Sequence, residues 1–243
     1  MSLDNFWQPA PTELSLSPDE AQIWRANLDL SPDRIALLRE ILSGEEQKRA
    51  DRFYFERDQN HFIAARGILR TILGRYLSIQ AEDIQFAYSD SGKPFLANTD
   101  SSLQFNLSHS HGLALYGITR DIAIGIDLEY IRPIEAEELA KRFFAPEEYS
   151  ELSQLPGDRQ AVEFFHYWTC KEAYLKATGA GLAGGLETVA VSFDEEQYPK
   201  LLATPGNPPL SSSWSLTQIY PGSGYAAAVA IAAASYRLSG YIF

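Results

Sequence analysis

The sequence is poor in cysteine and in basic residues, and each shortage excludes a class of protein. Cys170 is the one cysteine among 243 residues, so an intrachain disulfide is impossible and a reducing compartment is expected. Lys and Arg number 20 against 32 Asp and Glu, which gives a formal net charge of −12. A nucleic-acid-binding protein needs a basic face to displace counterions from phosphates, so this balance argues against one.

Long apolar runs are also missing. No run approaches the roughly 18 apolar residues that a membrane-spanning helix needs. Residues 1–20 contain neither the basic start nor the apolar stretch of a secretory signal. We therefore expect a cytoplasmic protein without membrane contact. The same residues are polar and proline-bearing, and they predict a loosely packed arm.

Hydrophobic residues, by contrast, make up 45% of the chain. A chain of this size buries roughly 70–75% of the surface that its unfolded form exposes, so we expect a folded core. Apolar spacing and turn residues predict helices over about 32–42, from Ser43, over 58–77, over 135–144, from Ala145 and over 160–178. They predict strands over 84–88, 103–107, 113–119, 122–130, 189–193, 214–219 and 225–233.

The helix-then-strand pattern occurs twice, and the two passes resemble each other. The helix that ends at Gly74 echoes the helix that ends at Gly179, and the strand after Gly112 echoes the strand after Gly224. We predict an α+β fold with two similar α/β halves, residues 1–122 and 123–243, that form an intramolecular pseudo-dimer. The ligand site is then expected in the cleft between the halves. The alternative is a coincidence between helix-rich and strand-rich segments.

Two acidic residues interrupt the apolar strand predicted over 122–130. Asp127 and Glu129 are two positions apart, so their side chains project from the same face. Neighbouring carboxylates repel each other unless a cation lies between them, and Mg²⁺ suits one or two carboxylates together with phosphate oxygens. The alternative is a strand end that reaches solvent, where acids are ordinary.

A second pair of charges lies on the helix predicted over 160–178. Glu172 and Lys176 are four residues apart and share a helix face. Trp168 lies four residues before Glu172, so the face that carries the pair also borders the core. The functional interpretation is a site, and the alternative is a surface pair that contributes about 0.3–0.5 kcal/mol.

Two further features favour an anionic ligand. Segment 105–112, Phe-Asn-Leu-Ser-His-Ser-His-Gly, predicts a polar turn between strands, and its hydroxyl, imidazole and N–H groups can bind phosphate. Residues 48–75 hold seven bases and three acids inside an acidic chain, although a solvated helix face would look the same. The Gly-x-Gly-x-x-Gly of residues 179–184 follows a helix instead of a strand, so it predicts no dinucleotide site.

Taken in order, these segments resemble the Sfp-type 4′-phosphopantetheinyl transferases. The matching pieces are Ser91-Gly-Lys-Pro94, Phe105-Asn-Leu-Ser-His-Ser110, Gly125-Ile-Asp-Leu-Glu129, Lys141-Arg-Phe-Phe144 and Trp168-Thr-Cys-Lys-Glu-Ala-Tyr-Leu-Lys176. The resemblance implies a monomer that transfers phosphopantetheine from coenzyme A to a serine of an apo acyl or peptidyl carrier protein, leaving 3′,5′-ADP. It gives no indication of the pathway that the carrier serves.

The resemblance also implies roles for single residues. It implies that Asp127, Glu129 and Glu172 surround Mg²⁺ on the pyrophosphate and that Glu172 is the general base, with a metal-bound water as the alternative base. Lys176, the second catalytic residue, and His109 would contact phosphates.

For the nucleotide end, the resemblance implies that Arg66 and Arg49 reach the 3′-phosphate of coenzyme A and that Lys93 and Ser108 line the site. The sequence departs from the family's pattern where Glu46 or Gln47 stands at an expected base. Two other functions remain open: a non-catalytic module that binds carrier proteins or coenzyme A, and another Mg²⁺-dependent phosphotransferase. The absence of a Walker A loop and of kinase motifs argues against the latter.

Overall fold

The computed structural model describes residues 6–97, 99–180, 185–202 and 213–243. Six helices were assigned in these residues: α1 (Pro32–Glu40), α2 (Gly44–Ala50), α3 (Glu56–Leu77), α4 (Ala136–Phe143), α5 (Pro146–Ser153) and α6 (Gly157–Thr178). The strands are β1 (Trp7–Pro9), β2 (Glu20–Asn27), β3 (Phe86–Tyr88), β4 (Pro94–Leu96), β5 (Leu103–Ser110), β6 (Leu113–Arg120), β7 (Ile124–Tyr130), β8 (Val191–Phe193), β9 (Pro199–Leu201), β10 (Ser215–Ile219), β11 (Tyr225–Ile231) and β12 (Arg237–Ile242).

Two main sheets organise these strands. The first has the order β1-β12-β2-β6-β5, and the second has the order β10-β11-β7. Within the first sheet β12 is parallel to both neighbours, whereas β2, β6 and β5 pair antiparallel. The hairpins β3-β4 and β8-β9 form two small additional sheets.

The element order repeats along the chain. One strand, three helices, a short 3₁₀ helix and four strands run from β2 to β6, and the same series runs from β7 to β11. The three-stranded arrangement β2-β6-β5 has the same antiparallel pairing as β7-β11-β10. The predicted α+β fold with two similar halves is therefore confirmed.

Three apolar clusters hold this fold together. One packs α3 against the first sheet, and a second packs α6 against the second sheet. The third joins the two sheets through side chains such as Ile23, Leu115, Ile126 and Val229. The two sheets therefore share an apolar core.

Helix termini largely follow the sequence signals. Ser43 caps α2 in a capping box with Glu46, and Gly179 ends α6 with a left-handed φ of 76°. The sequence pattern aligned Gly74 with Gly179 as the ends of the two long helices, and this alignment was wrong. Gly74 lies inside α3, and Ser78, with φ 56°, ends that helix. Residues 181–184 of the glycine-rich segment lie outside the described residues.

Other sequence expectations also need correction. The N-terminal arm is not loosely packed throughout, because β1 pairs with β12 and β2 begins at Glu20. Helix α6 begins at Gly157, three residues before the predicted start at residue 160. The division into residues 1–122 and 123–243 remains a prediction, and β12 crosses it by pairing with β2.

The two long helices carry equivalent cations. Arg70 and Lys171 occupy the same position in these 22-residue helices. Each donates to two carbonyl oxygens around the following 3₁₀ helix, Ala81–Asp83 or Leu186–Thr188. One acceptor is the first residue of that helix and the other is the residue directly after it, Ile84 or Val189. The repeat therefore extends to a buried polar contact.

Each of these cations also pairs with a buried glutamate. Glu46 lies 2.7 Å from Arg70, and Glu148 lies 2.6 Å from Lys171. Both glutamates occupy the third position of a short helix and accept a hydrogen bond from the backbone N–H of its N-cap residue. Each half thus uses one glutamate to join a short helix to a long one.

Across the described stretches of the chain, no helix has the length and apolar character needed to cross a bilayer.

Candidate active site

The site begins where α6 crosses β7 at very short range. A Cβ atom on Gly125 would lie 2.0 Å from the carbonyl oxygen of Ala173 and 2.3 Å from the backbone nitrogen of Ala177. Only glycine fits this crossing, because any side chain would overlap the helix backbone. The crossing brings Glu172 and Lys176 of α6 next to Asp127 of β7.

A charged cluster lies directly beyond the crossing. Lys176 Nζ lies 2.5 Å from Asp127 Oδ1 and 3.1 Å from Ser108 Oγ, and it donates to the Ile126 carbonyl oxygen at 3.3 Å. Ser108 Oγ donates to Asp127 Oδ1 at 3.0 Å. Asp127 is only 3% exposed, so this ion pair is poorly screened by solvent.

The other two predicted acids lie within the electrostatic reach of Asp127. Burial, with the charge of Asp127 and to a smaller extent that of Glu129, raises the pKa of Glu172 to about 7, although Lys176 opposes the shift. Burial and the Asp127 charge also raise the pKa of Glu129. The structure therefore places the predicted catalytic residues Glu172 and Lys176 near Asp127, with Glu129 close enough to affect the pKa of Glu172.

Two carboxylates of the cluster have oxygens that a cation could bind. Asp127 Oδ2 and Glu172 Oε1 are buried and have no hydrogen-bond partner among the described residues. Three carboxylates whose charges destabilise one another are the oxygen ligands that Mg²⁺ prefers. Within the part of the chain that the structure describes, no three His, Cys, Asp or Glu side chains are grouped closely enough to hold a metal. Asp127 and Glu172 thus offer unpaired oxygens that fit Mg²⁺ by chemistry, but in this structure Glu129 does not join them closely enough to enclose an ion, and Lys176 is the cation that contacts Asp127.

The segment predicted as a polar turn is mostly strand. Strand β5 continues through Ser110, and only His111 and Gly112, with φ of 45° and 80°, form the turn. Positive φ at both positions is what a two-residue hairpin turn of type I′ requires. Ser108 and Ser110 therefore share one face of β5, and His109 lies on the other.

His109 lies beside a second histidine that the sequence analysis did not single out. Packing around the His109 imidazole and the positive charges of His61 and Lys176 lower its pKa, although the side chain reaches the surface. His61 Nε2 lies 2.7 Å from Asp29 Oδ1. No spacing signal marks His61, because its partner Asp29 follows strand β2, far away along the chain.

Lys93 lies away from the charged cluster. Its ammonium group donates to the carbonyl oxygens of Ile124 and Ala177 at 3.2 and 3.1 Å, and burial lowers its pKa to about 8. It lines a cavity of about 320 Å³ that also includes Phe105 and Thr178. Ser108, expected at this end, contacts the acidic cluster instead.

The two arginines predicted for the 3′-phosphate occupy different environments. Arg49 is exposed, lies over the ring of Phe62 at 5.3 Å and lines a cavity of about 1250 Å³. Arg66 is buried and forms an ion pair with Glu46 at 2.6 Å. Although burial opposes it, the charges of Arg66 and Arg70 hold the pKa of Glu46 below its usual value.

Glu46, which departs from the family's pattern, forms ion pairs with two arginines. Glu46 stands where a base was expected, and it neutralises Arg66 and Arg70 from α3. Arg66 also donates to the Tyr88 hydroxyl at 3.2 Å. Arg49 is thus available for an anionic ligand in this cavity, whereas Arg66 is held by the protein.

Two family models match separate parts of the chain. Residues 123–230 match the family model described as the 4′-phosphopantetheinyl transferase superfamily, and residues 28–116 match the one described as 4′-phosphopantetheinyl transferase, N-terminal. The 4′-phosphopantetheinyl transferase HetI of Nostoc sp. is 45% identical over 233 residues, which cover 95% of each chain. A putative 4′-phosphopantetheinyl transferase of Synechocystis sp. is 40% identical over 75% of this chain and 74% of its own.

Two further matches have lower sequence identity. The 4′-phosphopantetheinyl transferase Sfp of Bacillus subtilis is 31% identical over 64% of this chain and 68% of its own. A crystal structure of a holo-(acyl-carrier-protein) synthase from Bacillus anthracis in complex with CoA (3′,5′-ADP) matches with a TM-score of 0.38 and 23% identity, covering 45% of this chain and 93% of that chain.

Proposed function

We propose a reaction for this chain, which belongs to the Sfp-type 4′-phosphopantetheinyl transferases. The chain transfers the 4′-phosphopantetheine group of coenzyme A to a serine of an apo acyl or peptidyl carrier protein and releases 3′,5′-ADP. One observation supports this most: Lys176 forms an ion pair with buried Asp127 near buried Glu172, and one oxygen of each carboxylate has no hydrogen-bond partner within the described residues. A pyrophosphate with a divalent cation would satisfy those groups.

In the proposed reaction the serine oxygen forms a bond to the β-phosphorus of coenzyme A. The bond from that phosphorus to the bridging oxygen breaks, and its electron pair stays on 3′,5′-ADP. A serine hydroxyl is a poor nucleophile at neutral pH, so a positioned base is typically worth about 10²- to 10⁴-fold in rate. Glu172 is the acceptor for the serine proton in this reaction.

Lys176 stabilises the charge that develops on phosphate oxygens. Its ammonium group is oriented by Asp127 and by Ser108 Oγ, so little reorganisation is needed when substrate binds. Asp127, Glu129 and Glu172 would hold Mg²⁺, which supplies Lewis-acid stabilisation of the phosphoryl oxygens when it is bound. Next to a divalent cation Glu172 stays ionised across the neutral range.

The substrate's nucleotide end is assigned to the cavities beside Lys93 and Arg49. Lys93 lines the smaller cavity and Arg49 the larger one. Because the charged cluster combines β5 and β7 with α6 of the same chain, a monomer contains all the proposed groups. We place this monomer in the cytoplasm, where Cys170, buried in α6, stays reduced.

The test is a mass measurement on carrier proteins. The purified chain is incubated with coenzyme A, Mg²⁺ and a panel of apo carriers from fatty-acid, polyketide and nonribosomal-peptide systems. The expected result is a gain of one phosphopantetheinyl group on at least one carrier, with release of 3′,5′-ADP. Coenzyme A binding without any mass gain across the panel would indicate a non-catalytic binding module instead.

A further inference from the structure

Strand β7, which carries Asp127 and Glu129, lies at the edge of its sheet. Among the described strands, β11 is the one that pairs with it through the backbone. The backbone groups on its other side face β5, the edge strand of the first sheet. Buried N–H and C=O groups need hydrogen-bond partners. Along this seam between the two halves, groups other than a neighbouring backbone must therefore supply them.

Side chains of β5 accept hydrogen bonds from the backbone N–H groups of β7 along the seam. Asn106 Oδ1 accepts from the N–H of Ile126 at 2.8 Å, Ser108 Oγ accepts from that of Leu128 at 3.2 Å, and Ser110 Oγ accepts from that of Tyr130 at 3.1 Å. The acceptors are Asn106, Ser108 and Ser110, one from every second residue of β5. We call this set the side-chain ladder.

The carbonyl groups of the same edge are also bound by side chains. Lys93 donates to the Ile124 oxygen at 3.2 Å, Lys176 to the Ile126 oxygen at 3.3 Å and Arg132 to the Tyr130 oxygen at 3.3 Å. Two of these donors are residues assigned to substrate. The edge therefore orients the cations as well as the strand that carries the acids.

Two members of the ladder contact the acids directly. Ser108 Oγ donates to Asp127 at 3.0 Å, and Ser110 Oγ donates to Glu129 at 3.3 Å. Asn106 contacts the backbone one residue before Asp127, and it is only 6% exposed. A slip of one residue between the strands would turn Asp127 and Glu129 to the opposite face.

We propose that Asn106 is a positioning residue of the transferase: through the ladder it fixes β7 against β5, so that Asp127 and Glu129 meet Glu172 and Lys176. This proposal rests on the proposed function. Asn106 touches no reacting atom and acts through the backbone of β7. Ser108 and Ser110 share the task, but their additional bonds to carboxylates would confuse a test made on them.

The test compares Asn106→Ala with Asn106→Ser, which keeps an acceptor of the kind that the other two ladder residues use. Asn106→Ala is expected to lower kcat and to raise the Mg²⁺ concentration for half-maximal rate, each by about tenfold, as loss of an outer-shell partner does. Asn106→Ser is expected to restore most of both losses.

The control is Tyr116→Phe, which removes a buried hydrogen bond of 3.1 Å to the Ala65 carbonyl oxygen in the first core. It is expected to lower stability without moving kcat or the Mg²⁺ requirement beyond about twofold, since a single neutral hydrogen bond is worth about 1 kcal/mol wherever it lies. If Tyr116→Phe and Asn106→Ala changed both constants equally, Asn106 would be a general stability residue and the proposal would be wrong.

A measurement without turnover separates this proposal from the proposed function. Amide hydrogen exchange should accelerate at Ile126 in Asn106→Ala and stay unchanged there in Tyr116→Phe, and Mn²⁺ binding to the free protein should weaken only in the former. If wild type transfers the group while Asn106→Ala keeps both kinetic constants, the positioning role is excluded. If wild type never transfers it but the exchange and Mn²⁺ results hold, only the proposed function fails.

Discussion

Asp127 and Glu172 each bury one carboxylate oxygen that has no hydrogen-bond partner in the described part of the chain, and the charge of Asp127 adds to burial in raising the pKa of Glu172 to about 7. A carboxyl group whose pKa rises on folding stabilises the protein while it is protonated, and the stabilisation is lost as the pH rises through the folded value. The folded state therefore loses stability between the ordinary pKa of 4.5 and about 7.

This relationship predicts a pH dependence in the absence of divalent cations. The free energy of unfolding should fall by about 3 kcal/mol from Glu172 between pH 4.5 and 7.5, a magnitude set by 1.36 kcal/mol per pKa unit. Urea denaturation in EDTA at several pH values measures it. Glu172→Gln should flatten most of the dependence, and an equally steep curve in that variant would assign the effect to Glu129 or another group.

Removal of the Asp127 charge should abolish transfer while preserving the fold. We expect Asp127→Asn to lower kcat/KM by at least about 100-fold, because it removes the group that orients Lys176 and that would hold the cation. The pKa of Glu172 should fall in this variant, which urea denaturation against pH would show as a dependence displaced to lower pH. Asp121→Asn is the matched control: Asp121 is exposed, with φ 61°, a conformation that Asn tolerates.

Gly125 should tolerate no side chain. Gly125→Ala places a Cβ atom 2.0 Å from the Ala173 carbonyl oxygen, so α6 must move away from β7 or the protein must unfold. We expect a loss of about 3 kcal/mol or more, at the upper end for overpacking because backbone is displaced, measured by chemical denaturation. Gly157→Ala in the first turn of α6 meets nothing within 4 Å and should leave stability unchanged or slightly raised.

Substitution of Arg49 should weaken binding of the 3′-phosphate, whereas substitution of Arg66 should mainly lower the stability of the fold. Arg49→Ala should raise the KM for coenzyme A about tenfold or more, as expected for loss of a charge-assisted contact, and leave the denaturation midpoint unchanged. With dephospho-coenzyme A, which lacks the 3′-phosphate, the wild-type protein and Arg49→Ala should have the same KM. A difference that persists with dephospho-coenzyme A would place Arg49 elsewhere on the substrate.

Arg66→Ala should behave in the opposite way. It leaves Glu46 with Arg70 as its remaining guanidinium partner in a buried environment, so the main effect should be a loss of about 1–3 kcal/mol in unfolding free energy. The KM for coenzyme A should change less than in Arg49→Ala. A large KM effect without a stability effect would restore Arg66 as a ligand of the phosphate.

The ion pair between Lys171 and Glu148 should be costly to break from one side. Lys171 is fully buried, and Lys171→Met leaves the Glu148 carboxylate without its cation, so we expect a loss of about 3–5 kcal/mol. Glu148→Gln in the same chain should recover part of the loss because no unpaired charge remains. A double-mutant cycle by chemical denaturation measures the coupling, and strictly additive single effects would contradict a specific pair.

Most local structure could be predicted from the chain alone. Ser43 with Glu46 specifies the start of α2, and Gly179 specifies the end of α6, because caps depend on neighbouring residues. Asp127 and Glu129 were predicted to share a strand face, and Glu172 and Lys176 a helix face, from spacing alone. These patterns, with the resemblance, were sufficient to name the cluster before its geometry was known.

The sequence could not specify the contacts that join distant segments. Strand β12 completes the first sheet beside β2 although the two are separated by almost the whole chain, and its short pattern carries no signal of a partner. The resemblance implied that Arg66 reaches the 3′-phosphate, but it could not show that Arg66 pairs with the buried Glu46 of another helix. It also implied that Ser108 lines the nucleotide end, and it could not show the hydrogen bond from Ser108 to Asp127.

The sequence by itself thus determined which residue types stand on which face of each element, the acids of β7 and the acid and base of α6, and it determined the glycine that ends α6. Only the tertiary structure decided that β7 lies against β5 through side chains instead of a backbone ladder, and that α6 approaches β7 closely enough at Gly125 to place Lys176 on Asp127. The physical reason is that spacing fixes direction within one element. Burial and charge neutralisation act between elements, and they are settled when the two halves pack together.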